Sequence, residues 1–204
     1  MDENNVYEEI DDDELKRQAS PEQIERRKKF HELSRLFSQT NWAIQCLKIV
    51  GQLEELCSEL REGFLVFAHR ALWDDALACL MRVLDKHKEA FSLWKIDELD
   101  AICEEENVDI QKMREFSSRL SIARNKCHFH NAKEYAADAD QLWSKVAIKG
   151  KEMVEVANDV AKILSRIMWE EHQVPPNLSF YDASDVRPIL KCLDECGLGN
   201  FSKR

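Results

Sequence analysis

Seven consecutive residues gather the most chemistry in this chain: Arg124-Asn125-Lys126-Cys127-His128-Phe129-His130. They supply a guanidinium, a carboxamide and two imidazoles. An imidazole titrates near neutral pH, so it can take the proton from an RNA 2′-hydroxyl or return one to a leaving oxygen. A guanidinium can hold the charge that builds on phosphoryl oxygens. A carboxamide can orient either group. Such a set suits phosphodiester cleavage in RNA and needs no metal. On an unbroken helix, Arg124 and His130 would point about 120° apart. They converge where the helix breaks after Asn125, or where they meet counterparts from a second chain across a symmetric interface. The same residues also fit a plain reading, because cations favour helix C-termini.

Other clusters carry less. Cys127, His128 and His130 lie too close together for a tetrahedral metal site, and no matching cluster is obvious, so no metal is expected. Cys192 and Cys196, four apart, read as packing residues. Arg82 and Asp85, three apart on a core-like helix, read as an internal ion pair in preference to a support for Arg124. His69-Arg70 with Asp74-Asp75 reads as a solvated or paired patch. Lys86-His87-Lys88 reads as a basic surface loop. Trp42, Trp73, Trp94, Trp143 and Trp169 are spread over different helices, as core or interface anchors are. Gly-rich phosphate loops, metalloprotease helices and nucleophile elbows do not occur, and no cofactor is expected.

The 204 residues carry a formal net charge of −10. Residues 1–20 hold eight acids against two bases, so most of that charge sits in a leading segment. A broad basic surface is absent from the pattern, although a local cationic pocket is compatible with it. Seven cysteines, an odd number, most of them within apolar helical patterns, argue for a reducing cytoplasm over a disulfide framework. Apolar runs fall short of a membrane span, and the first residues lack a basic-then-apolar leader.

The elements that must position the motif are helical. Five glycines and four prolines are too few for a turn-dense β fold. Residues 1–19 read as an acidic disordered or interaction tail. Ser20-Pro21-Glu22-Gln23 is a helix start, and the pattern runs to about Arg61 with a break expected near Thr40-Asn41. Glu62-Gly63 marks a joint. Phe64 to Asp85 follows as a central helix with Phe64, Phe67, Ala71, Ala78 and Met81 in repeat. After a loop over 86–91, Ser92 caps a helix through Glu105. Asn107-Val108-Asp109 starts another, with Met113, Phe116, Leu120 and Ala123 on one face. Arg124 stands one turn beyond Leu120, on or beside that face. A capping box is expected at Asn131-Ala132-Lys133-Glu134. The last long helix spans 151–172 with the stripe Val154, Ala157, Ala161, Leu164 and Met168, and Pro175-Pro176 ends it. A short helix over 185–196 stops at Gly197. The expected organisation is an all-α bundle of two long antiparallel pairs over residues 20–172, with a C-terminal extension over 173–204.

Arg124-Asn125, four residues, then His130 resembles the R-x(4–6)-H signature of the HEPN superfamily. Leu80-Met81-Arg82-Val83-Leu84-Asp85, a loop, and Ser92-Leu93 resemble its AbiU-like abortive-infection branch. Helix order and spacing agree over about residues 22–172. The resemblance implies a HEPN-like helical bundle, commonly dimeric, with facing Arg–His motifs. It implies a metal-independent endoribonuclease acting as a toxin or in phage defence. His130 would then be the general acid/base, Arg124 the transition-state stabiliser and Asn125 a polar helper. The implied partners are a second copy of the chain, an RNA substrate, and an antitoxin or other protein. The alternative expectation is a non-catalytic helical interaction and dimerisation module whose acidic tail docks a partner.

Overall fold

The computed structural model describes residues 20–56, 64–124, 146–173 and 188. Among the described residues the fold has five α-helices, α1 (Pro21–Leu56), α2 (Phe64–Val83), α3 (Leu99–Glu105), α4 (Ile110–Ala123) and α5 (Gly150–His172), with a 3-10 turn at Leu93–Lys95. Among the described residues there is no strand, and the chain is an all-α helical bundle.

The first helix starts at a reciprocal cap. The Gln23 N–H donates to Ser20 Oγ at 3.2 Å, and the Ser20 N–H donates to Gln23 Oε1 at 2.8 Å. The helix then passes Thr40-Asn41 without the expected break. Thr40 is fully buried and its hydroxyl donates to the Leu36 carbonyl at 2.8 Å, so the helix itself satisfies its polar group.

Ion pairs and polar contacts fix the directions. His69 meets Glu54 and the Trp42 indole N–H donates to Asp75, so α1 and α2 run antiparallel. Arg26 and Lys29 bond Glu171, and Phe30 packs edge-on against His172. The start of α1 therefore meets the end of α5, and this pair is antiparallel too. The start of α5 lies against α2. A Cβ on Gly150 would come within 3.0 Å of Trp73 Cζ3, which is why the smallest residue stands there.

One core joins all of these elements. Leu33, Leu36, Leu77, Leu80, Phe116, Met153 and Ile163 are among its fully buried side chains. The face expected on α4 is the buried one: Met113, Phe116, Leu120 and Ala123 all lie inside. On α2 the expected repeat is displaced. Phe67 is 73% exposed and Ala71 is exposed as well; of the expected residues Met81 is buried, and burial runs with it through Ala76, Leu77, Cys79, Leu80 and Val83. On α5 the expected stripe is buried at Ala157, Ala161, Leu164 and Met168; Val154 alone is 36% exposed, and its neighbours Met153 and Val156 fill the core.

Between α2 and α4 the expected single helix from Ser92 is two pieces. Glu98 adopts φ 57, a left-handed turn that no α-helix continues through. Ser92 precedes the 3-10 turn but makes no side-chain cap bond. The chain leaves α3 through Asn107 at φ 53, with the Val108 N–H on the Cys103 carbonyl at 2.8 Å. Asn tolerates the left-handed position that this exit requires. Asp109 then caps α4, its side chain accepting the Lys112 N–H at 3.0 Å. The joint at Glu62-Gly63, the segment 131–134, Pro175-Pro176, Trp143 and, apart from the helical Pro188, the helix expected over 185–196 lie outside the described residues.

Candidate functional site

The site is built where the end of α4 passes the end of α2. Four residues beyond Leu120, Arg124 closes α4, its N–H directed at the carbonyls of Leu120 and Ser121. Its guanidinium Nη1 donates to Asp85 Oδ2 at 2.6 Å. The two side chains are 28% and 18% exposed, so the pair is partly withdrawn from water. Asp85 Oδ1 accepts the His87 N–H at 2.9 Å. Both carboxylate oxygens are thus engaged, and the group that receives Arg124 is itself fixed.

The end of α2 is stitched down by neighbouring polar groups. The Leu84 carbonyl, left over at the helix end, accepts from Ser117 Oγ at 2.9 Å and from the Trp94 indole N–H at 3.0 Å. Lys86 Nζ donates to Ser118 Oγ at 3.0 Å and to the Arg114 carbonyl at 3.3 Å, and lies 5.7 Å from the Trp94 ring centroid. Lys86, Trp94, Ile96, Glu98, Leu99, Asp100 and Arg114 line an open cleft of about 470 Å³. Its charges are balanced, and Arg114 is already bonded to Asp100 at 2.8 Å. The His87 ring accepts the Glu89 N–H at Nδ1, 3.3 Å away, which leaves the proton of the neutral ring on Nε2.

Arg124 is the one proposed catalytic residue within the described part of the chain. Asn125 and His130 lie outside the described residues, as do Cys127, His128, Cys192 and Cys196. The expected Arg82–Asp85 pair does not form. Arg82 Nη2 contacts Cys79 Sγ at 3.1 Å, and Asp85, past the last turn of α2, faces α4 and takes Arg124. Nor is the 86–88 loop only surface, since Lys86 braces α4. Sequence reading also missed Arg119, which bonds Glu152 and the Ala147 carbonyl and so ties α4 to the start of α5. These partners are separated by tens of residues, and no local pattern pairs them.

The described thiols offer no nucleophile. Burial pushes the Cys46 thiol up to about 12 and raises Cys79 and Cys103 as well, so all three stay protonated at neutral pH. Among the described residues no three His, Cys, Asp or Glu side chains gather as a metal site. None of the described helices is long and apolar enough to cross a membrane. No family model matches the chain, and no curated protein or solved structure matches it either.

Proposed function

We propose that this protein is a metal-independent endoribonuclease of the HEPN type, working as a homodimer in a toxin or phage-defence system. The observation that supports this reading most is the Arg124–Asp85 contact at 2.6 Å. It holds a guanidinium at a fixed helix end, directly before the imidazole-bearing segment. A pre-positioned cation costs little reorganisation as charge develops on a phosphate, which is the setting in which such groups catalyse.

In the reaction, His130 takes the proton from the 2′-hydroxyl and the 2′-oxygen attacks phosphorus. Arg124 stabilises the charge on the phosphoryl oxygens, and Asn125 orients the group. The bond from phosphorus to the 5′-oxygen breaks, and that oxygen takes a proton from an imidazolium. The products carry a 2′,3′-cyclic phosphate and a 5′-hydroxyl.

The same ion pair also supports a second reading. A guanidinium whose partner is an immobilised carboxylate can be a fastening between α2 and α4, as a non-catalytic interaction module would use it. Purified protein incubated with RNA in EDTA separates the two. The nuclease reading expects cleavage that falls at least about 100-fold in Arg124→Ala and in His130→Ala, with the helical circular dichroism retained. Absence of cleavage by the wild-type chain favours the module.

A further inference from the structure

We propose that the outward face of α1 between Arg27 and Trp42 binds the phosphate backbone of single-stranded RNA, with the Trp42 ring as a stacking site. The choice of RNA over other polyanions rests on the ribonuclease reading above. Arg27, Lys28, His31, Arg35, Ser38 and Trp42 are all exposed, and their spacing places them on one side of the helix. Arg26 and Lys29, on the other side of the helix, are taken up by Glu171. Arg27, Lys28 and Arg35 have no ion pair among the described residues. Two acids border the face: Glu32, half-buried, one turn from Lys28, and Asp75, which holds the Trp42 indole at its far end.

Three cations without an ion pair on one helix face are unusual in a chain of net charge −10. They create a local positive potential that the whole-chain balance conceals. At the far end of the face the Trp42 indole N–H donates to Asp75 at 2.5 Å, while the residue remains 48% exposed. The bond fixes the ring, and a fixed, exposed aromatic beside a cationic track is how proteins hold single strands without reading sequence. From Arg27 to Trp42 the helix rises about 22 Å, enough for several nucleotides. The antiparallel register of α1 and α2, set by the Glu54–His69 and Trp42–Asp75 contacts, brings the end of α2 back to the level of about Arg35. Asp85 and Arg124 therefore stand at the height of the cationic face along the bundle.

The probe is a fluorescein-labelled 2′-O-methyl-uridine dodecamer, which has no free 2′-hydroxyl to react. Its anisotropy is titrated with the full chain at several salt concentrations. The combined Arg27→Ala, Lys28→Ala and Arg35→Ala variant is expected to bind at least about tenfold more weakly, with the log–log salt slope smaller by about 2. Arg27→Lys with Arg35→Lys keeps the charge and is expected to keep binding. Trp42→Ala is expected to lose about fivefold or more at an unchanged slope. An unchanged affinity in the triple variant overturns the proposal. So does carbodiimide coupling of Lys28 to a carboxylate of residues 2–14 that the oligomer fails to displace, since the face then belongs to the acidic segment. Because the probe cannot be cleaved, loss of stripe binding with intact RNA cleavage, or the reverse, tells failure of this inference from failure of the ribonuclease reading.

Discussion

Arg124 Nη1 and Asp85 Oδ2 stand 2.6 Å apart, joining the residue that caps α4 to the first residues after α2. The partners are 39 residues apart in sequence, and the contact fixes a cation that would otherwise sit half-buried beside an apolar face. Asp85→Asn keeps the shape and removes the charge. It is expected to destabilise the fold by about 1–2 kcal/mol, below the cost of breaking a fully buried pair because both groups keep some access to water. Urea unfolding measures this. A double-mutant cycle with Arg124→Ala is expected to recover most of the loss as coupling between the two residues.

The start of α1 depends on two hydrogen bonds exchanged by Ser20 and Gln23. Ser20→Ala is expected to cost about 1 kcal/mol and to speed amide exchange in the first turn of the helix, with later turns unaffected.

Phe116 is fully buried, whereas Val154 is 36% exposed on the outer side of α5. Phe116→Ala should cost about 3–5 kcal/mol. Val154→Ala should stay within about 0.5 kcal/mol. Comparable losses from the two would contradict the burial described for these positions.

Asp159 and Glu155 lie on α5 and respond to pH in opposite senses. Burial raises the Asp159 carboxyl above its ordinary value. Its contribution to stability is therefore full below the unfolded value and is lost as pH rises through the folded one. The Lys112 ammonium lowers Glu155, whose contribution is present above the unfolded value and lost as pH falls through the folded one. Asp159→Asn is thus expected to raise the Tm at pH 7 and to give no gain at pH 3. An equal shift at both pH values would place its effect outside titration.

Wherever one turn of chain decides the structure, the sequence was readable. Ser20-Pro21-Glu22-Gln23 carries its own cap, and the spacing of Met113, Phe116, Leu120 and Ala123 leaves one possible buried face. Thr40 was misjudged because its turn-forming tendency assumes a solvated hydroxyl, and here the Leu36 carbonyl takes it. The α2 face is displaced because that helix is apolar on several sides, so periodicity admits more than one rotation and packing chooses between them, whereas on α5 only Val154 leaves the expected stripe and Ala157, Ala161, Leu164 and Met168 are buried as the spacing requires. Asp85 illustrates the larger gap. Helical spacing offered Arg82 as its partner, but Asp85 lies beyond the last turn of α2, and its true partner comes from another helix. The spacing from Leu120 places Arg124 beside the apolar face, and its side chain is 28% exposed there. What holds it there is a long-range contact that no short pattern encodes.

The account turns on RNA chemistry at Arg124 and His130. Its most direct test is end-group analysis of RNA incubated with the wild-type protein in EDTA. The expected result is fragments bearing 2′,3′-cyclic phosphate and 5′-hydroxyl ends, absent with His130→Ala. Intact RNA, or fragments with 5′-phosphate ends that appear only when a divalent metal is added, would contradict it.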